Sequence, residues 1–237
     1  MATTTSRDAT NSLTTDVAAT SQTARWLALG AVAGPVLFTL SWLILGYLSP
    51  GFMLFGALIA PYSPISHPIS GLGLAPNGPY MNAAFVLSGL LLLAGVIGVY
   101  RTLSGSGRPF TRRACAALLA LSPIGFVVVG IFNLEAVFPH LIGFLLATAT
   151  PIVSFLAAGL FFRGIPRWRR FGRWLILASP LTLSLVVLFF ATFDQNAAGA
   201  GLGIAGLTQR LLALDVSAWF AAMGWLAFKR SEPGFEA

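Results

Sequence analysis

The sequence predicts an all-α polytopic membrane bundle of six transmembrane helices, both termini cytoplasmic, with a re-entrant or interfacial segment between helices one and two. Three observations carry this. Apolar residues make up 57% of the 237-residue chain and charged residues only 9%, against about 25% charged in a typical soluble domain. Six apolar runs approach or reach the ~20 residues a helix needs to cross a bilayer. Every lysine and arginine except Arg210 falls in segments that six crossings place on one side.

Residues 1–24 are rich in Thr, Ser, Ala and Asp and almost devoid of large apolar side chains. They cannot bury enough surface to offset their ordering entropy, so a disordered cytoplasmic tail is expected. The apolar run that follows is too long for a secretory signal core and has no clear cleavage site. The spans are expected at 26–48, 80–100, 114–132, 140–162, 174–193 and 208–228, within a transmembrane domain at 25–230. A further apolar run at 51–60 is too short to cross and is expected to lie at the interface or re-enter. Residues 231–237 form a short cytoplasmic tail in this reading.

The formal charge of +7 does not point to nucleic acid, because the cations form no single face. They sit in short clusters between apolar runs: Arg7 and Arg25; Arg101, Arg108, Arg112 and Arg113; Arg163, Arg167, Arg169, Arg170 and Arg173; Lys229 and Arg230. Basic connectors stay in the cytoplasm, which places both termini inside. Five or seven crossings would scatter these charges over both faces. The single cysteine, Cys115, lies within an apolar run and reads as a packing thiol.

The opposite side collects the polar side chains. The stretch YSPISHPISGLG at 62–73 holds Tyr62, Ser63, Ser66, His67 and Ser70. Asn133 and Glu135 lie in the next connector on that side, and His140 opens the fourth span after Pro139, a residue suited to a first helical turn. Asp194, Gln195 and Asn196 follow the fifth span, and Gln209 and Arg210 open the sixth. A cation there is expected either to snorkel to the interface or to pair with Glu135, Asp194 or Asp215 within the bundle. Asp215, the one carboxylate clearly inside a span, is five residues from Arg210 and so on a different helical face; a partner on another helix suits it better.

Ser63, Ser66, His67, Ser70, Glu135, His140, Gln209 and Arg210 are therefore the candidate ligand-binding residues. Two other chemistries have the right residue types. Ser66 or Ser63 with His67 or His140 and Glu135 could form a nucleophile, base and orienting acid, and two histidines with one glutamate could hold zinc with an open position. No Gly-x-Ser-x-Gly elbow, His-Glu-x-x-His pair or phosphate loop accompanies them. The reading therefore expects no cofactor and no metal. Pro35, Pro123, Pro151 and Pro180 each fall inside a span, where kinks are tolerated.

Three segments together resemble a known family. YSPISHPISGLG, GIFNLEAVFPHLIGFLLA and GLTQRLLALDVSAW are similar to the prokaryotic six-span proteins grouped as domain of unknown function 998. The matching positions are Ile69, Ser70, Leu72 and Gly73; Gly130, Ile131, Phe132, Glu135 and His140; and Gly206, Leu207 and Arg210. The chain departs at Gly71, where an acidic residue is common, and at Asn133, where proline is expected. The resemblance implies a multi-pass protein of the prokaryotic plasma membrane and supplies no activity. The expectation is an outward-facing polar pocket for a small polar group, an anionic ligand or a lipid headgroup, with membrane lipids as partners. An intramembrane hydrolase and a structural membrane subunit are the alternatives.

Overall fold

The computed structural model describes residues 22–230, so the tail expected at 1–24 and the one at 231–237 lie outside the described residues except for 22–24. Those three are already helical. Six helices are long and apolar enough to cross a membrane: Gln22–Leu48, Gly78–Thr102, Pro109–Ile131, Val137–Arg163, Pro166–Thr192 and Ala205–Arg230, called here the first to sixth spans. They start up to eight residues earlier than hydropathy alone places them. Proline in the first turn of the second and third spans fixes those starts, since its missing N–H is one the helix would leave unbonded.

Consecutive spans pack side by side, and the first also meets the sixth, closing the bundle. Glycines allow the first and second spans to touch backbone to backbone: a Cβ on Gly34 would collide with the Ser88 carbonyl, and one on Gly95 with the Ala31 backbone. Small residues serve this purpose in membranes, where helices gain most from close packing. Three connectors, at 49–77, 132–136 and 193–204, gather at one end of the bundle. They are tied together there by Phe55 N–H to Glu135 Oε1 at 3.0 Å and Ser66 Oγ to the Gly201 carbonyl at 2.8 Å. The arginine-rich connectors lie at the other end.

The expected interfacial run at 51–60 is a β-hairpin rather than a helix. Strands β1 (Phe52–Leu54) and β2 (Ala57–Ile59) pair antiparallel with Leu54 opposite Ala57. The two residues between them, Phe55 (φ 48°) and Gly56 (φ 79°), both have positive φ, the requirement of the tight turn whose twist matches a hairpin. After it comes a 3₁₀ helix, Ile69–Leu74, sunk into the bundle over Phe38, Trp42, Met81 and Phe85.

The fourth span is broken. It runs as Val137–Thr148 and Thr150–Arg163 around Ala149. Pro151 has no N–H for the Ala147 carbonyl, and the Ser122 hydroxyl donates to that carbonyl at 2.8 Å instead. The first half leans on the third span and scarcely meets the fifth, whereas the second half packs along the fifth. The fourth and fifth spans are therefore splayed at the hairpin end.

Candidate functional site: a cavity between the fourth and fifth spans

A cavity of about 250 Å³ occupies that splay. Its wall is mostly hydrocarbon and aromatic: Phe52 and Phe55 from the hairpin, Leu141 and Phe144 from the fourth span, Phe189 and Phe190 from the fifth, and Phe193 just after it. Phe144 closes the inner side against Phe189 and Phe190, with ring centroids 5.1 and 6.1 Å away. Beyond Phe144, Ser70 and Gln209 lies a second void of about 40 Å³ in the bundle core. The rim residues Val137, Leu141, Phe190 and Phe193 are exposed on the bundle's flank.

Among the eight candidate residues, His67, Ser70, His140 and Gln209 line this cavity; Ser63, Ser66, Glu135 and Arg210 do not. His67 is 1% exposed. Its Nδ1 accepts the Ser63 N–H at 2.8 Å, and its buried Nε2 faces the Ala198 backbone without closing a hydrogen bond of normal geometry. Burial holds the His67 pKa below the usual histidine value; the Ala198 backbone partly opposes this and the Arg210 charge adds to it. The ring is therefore neutral at pH 7. His140 Nδ1 lies 2.7 Å from the Phe132 carbonyl oxygen, which can only accept. Gln209 Oε1 accepts the Ile69 N–H at 2.5 Å, which leaves its amide nitrogen as a donor.

Arg210 neither snorkels nor pairs with a carboxylate. It is 6% exposed, and its Nη1 donates to the carbonyls of Pro64 (2.7 Å), His67 (3.0 Å) and Gly206 (2.8 Å). Nη2 donates to the Tyr62 hydroxyl, and the guanidinium carbon stands 5.3 Å from the Trp42 ring centroid. Carbonyl dipoles and an aromatic face replace the counter-ion expected from the sequence. Burial raises the Tyr62 pKa, with the Arg210 charge partly opposing it, so the phenol stays protonated. The surrounding backbone explains the Gly-Leu-x-x-Arg pattern. A Cβ on Gly206 would strike the Pro64 and His67 backbone, the Leu207 N–H donates to the Ile65 carbonyl at 2.9 Å, and Arg210 holds the two carbonyls on either side. The first turn of the sixth span grips the 62–67 loop.

The other carboxylates are also occupied locally. Glu135 takes the Phe55 N–H and thereby ties the hairpin to the turn between the third and fourth spans. Asn133 Oδ1 accepts the Glu135 N–H at 3.0 Å, so the residue expected to be proline braces this turn by a side-chain bond. Asp194 caps the short helix Gln195–Gly199 through the Asn196 and Ala197 N–H groups. Asp215 accepts from Thr182 Oγ1 on the fifth span at 2.7 Å and from Trp219 Nε1 at 3.0 Å, a partner on another helix as its position suggested.

This geometry does not assemble the hydrolase constellation. The hydroxyls of Ser63 and Ser66 bond each other at 3.2 Å rather than a histidine, and the Glu135 carboxylate holds a backbone N–H rather than an imidazole. Among the described residues, no three His, Cys, Asp or Glu side chains group as metal ligands, so the zinc arrangement is not formed either. Sequence reading missed the aromatic wall. Its signal was available as three phenylalanines within 189–193, at the end of a span and beside the polar connectors.

Residues 32–226 match a family described as protein of unknown function (DUF998). The chain belongs to this family. No curated protein and no solved structure matches it. As a DUF998 protein with six apolar spans, it is a multi-pass membrane protein.

Proposed function

We propose that this DUF998 protein binds, and in doing so extracts or passes on, a lipid-like molecule that enters sideways from the bilayer between the fourth and fifth spans. The observation that carries this reading is the cavity's construction: an aromatic wall, an exposed apolar rim on the flank of the bundle, and a few buried neutral polar groups at its lining. Small-molecule sites have this composition, apolar with a few placed polar groups. An anionic headgroup, the sequence-based expectation, has no cation to meet there, because Arg210 is consumed by the loop and no Lys or Arg lines the cavity. The ligand in this reading is apolar with a neutral polar end.

The orientation supporting an outer-leaflet origin comes from the clustered arginines at the opposite end, in a prokaryotic plasma membrane. It is checked with Ala57→Cys in the hairpin and Ser104→Cys in the arginine-rich connector, each in a Cys115→Ala background. An impermeant maleimide applied to intact cells is expected to label the first and spare the second; the reverse pattern refutes an outward cavity.

Occupancy is tested by native mass spectrometry of the detergent-purified protein. Leu141→Trp fills the cavity mouth, while Leu160→Trp adds the same ring to an exposed position of the fourth span outside the cavity lining. Lipid adducts are expected to persist in the second variant and disappear in the first. Equal adducts in both refute the reading.

A further inference from the structure

We propose that the arginine-rich end of the bundle holds a second site, which binds a phosphate monoester from the side that is cytoplasmic in the orientation given above. This inference does not depend on the lipid-binding reading. It comes from a separate cavity of about 390 Å³ at the end opposite the hairpin. Thr102 at the end of the second span, Ser106 just after it, Arg167 and Trp168 in the 3₁₀ turn that opens the fifth span, and Arg230 at the end of the sixth line this cavity together.

One of its cations is held in place. Trp168 is 3% exposed and stacks on Phe162 with ring centroids 4.8 Å apart. The Arg230 guanidinium carbon stands 5.0 Å from the Trp168 ring centroid, so a packed aromatic pair supports it. Arg230 is half-buried, and its Nη1 is sealed in the protein without a hydrogen-bond partner. In this proposal the ligand meets the part of the side chain that stays exposed. Arg167 is exposed and near enough for its charge to act on Arg230, and like charges on one cavity repel. Among the described residues no carboxylate relieves them. Glu135 and Asp194 lie at the hairpin end. Asp215 is fifteen residues back along the sixth span, about 22 Å at 1.5 Å per residue.

The charge and donor set favour a phosphate monoester. It carries about −1.5 to −2 at pH 7 and three strong acceptor oxygens, so one group neutralises both cations and accepts from both guanidinium forks. A carboxylate brings one charge and two oxygens and leaves a cation unmatched. About 10–15 Å³ of such space already holds a water, so the cavity has room for the phosphate and the start of its ester. A soluble ester and the head group of phosphatidic acid present the same chemistry, and the test separates them.

The test uses the full-length protein in maltoside micelles, which contain no phosphate, at pH 7.5 and 150 mM NaCl. At this salt a diffuse basic surface is screened beyond about 8 Å. Scintillation proximity measures binding of tritiated glycerol 3-phosphate, glycerate, phosphatidic acid and diacylglycerol, the last two in mixed micelles. One phosphate probe is expected to bind each chain, at least about tenfold tighter than its phosphate-free counterpart. Arg230→Gln and Arg167→Gln should each weaken it about tenfold, the loss of one hydrogen bond to a charged group. Arg113→Gln removes the same charge from an exposed position outside the lining and should change binding by less than about twofold. Because Arg167 is exposed, its variant decides the matter even where Arg230→Gln fails to fold.

Tighter binding of phosphatidic acid than of glycerol 3-phosphate assigns the phosphate to a lipid, and equal binding assigns it to a soluble ester; either sustains the site. Equal binding of glycerol 3-phosphate and glycerate, together with equal binding of phosphatidic acid and diacylglycerol, overturns it. An equal loss in Arg113→Gln overturns it too, leaving only a diffuse basic surface. No binding in wild type, with binding gained when Glu232→Gln and Glu236→Gln are combined, gives the cavity to the chain's own C-terminal carboxylates and overturns an external ligand. No binding in any variant overturns the proposal outright. None of these outcomes touches the reading of the cavity between the fourth and fifth spans.

Discussion

Replacing Arg210 with methionine tests whether one guanidinium holds the loop that walls the cavity. Methionine keeps the length and apolar volume of the side chain, so the substitution removes donors with little change in packing. Two loop carbonyls, those of Pro64 and His67, and the Tyr62 hydroxyl lose their donor. An orphaned buried polar group costs about 1–3 kcal/mol. Part of this is returned, because the variant no longer buries a cation away from any carboxylate, a cost of several kcal/mol before its hydrogen bonds are counted. The residue is about 3 kcal/mol of local stability, or roughly 100-fold in the equilibrium for opening the loop. The effect should be read locally, by hydrogen exchange of the His67 and Leu207 amides. These donate to Ser63 and Ile65 at 2.8 and 2.9 Å and close the loop onto the sixth span. Both should exchange about 100-fold faster in Arg210→Met, with the amide of Val96 in the second span as an unchanged control. Arg210→Lys should be intermediate, since a single ammonium cannot fork across the carbonyls and the phenol together. Exchange within about threefold of wild type in Arg210→Met would refute the clamp and return Arg210 to a passive place at the interface.

Gly206→Ala places a methyl group against the Pro64 and His67 backbone; overpacking of this kind costs about 1–3 kcal/mol, and it should accelerate exchange at the same two amides. Asp215→Leu strips the acceptor from Thr182 and Trp219 and should lower thermal stability by about 1–2 kcal/mol. Asp215→Asn retains one acceptor and should lose less than half of that, and equal melting of the two variants would contradict the pairing. His67 has a folded pKa below the usual 6.5, so the unfolded chain takes up its proton first. Stability should therefore hold above pH ~6.5 and decline as pH falls below it towards the lowered folded value. Thermal melts between pH 7.5 and 5 should show this decline in wild type and a weaker one in His67→Asn; parallel curves would remove His67 as its source.

The number of spans, and the gathering of polar residues at one end, were legible because both follow from one-dimensional quantities: run length and the positions of charges. The hairpin at 51–60 was not, since hydropathy does not distinguish a short apolar strand pair from an interfacial helix. The cue was the Phe55-Gly56 step, where both residues take positive φ. The partner of Arg210 was misjudged for a physical reason. Charge counting looks for a carboxylate, while the carbonyls of Pro64 and His67 are invisible to side-chain inventory and become acceptors only once the loop lies across the sixth span. The cavity was legible in part. Its polar members His67, Ser70, His140 and Gln209 stood out as rare residues in an apolar chain. Its phenylalanines did not, because aromatic residues at the end of a span are ordinary, and only the splay at Ala149 makes them a wall.

The same loop serves both the clamp and the cavity, and this links two features that the sequence lists separately. His67 gives its carbonyl to Arg210 and is itself among the residues that line the cavity. Ile69, two residues on, gives its N–H to Gln209, whose amide lies between the outer cavity and the inner void. A side chain that spends its charge on backbone carbonyls is a positioning device, and here it sets where the 62–67 loop lies against the sixth span. In the lipid-binding reading proposed above, Arg210 governs binding without touching the ligand. A molecule held in the cavity would favour the closed loop in return, because whatever binds only the assembled cavity stabilises the contacts that assemble it.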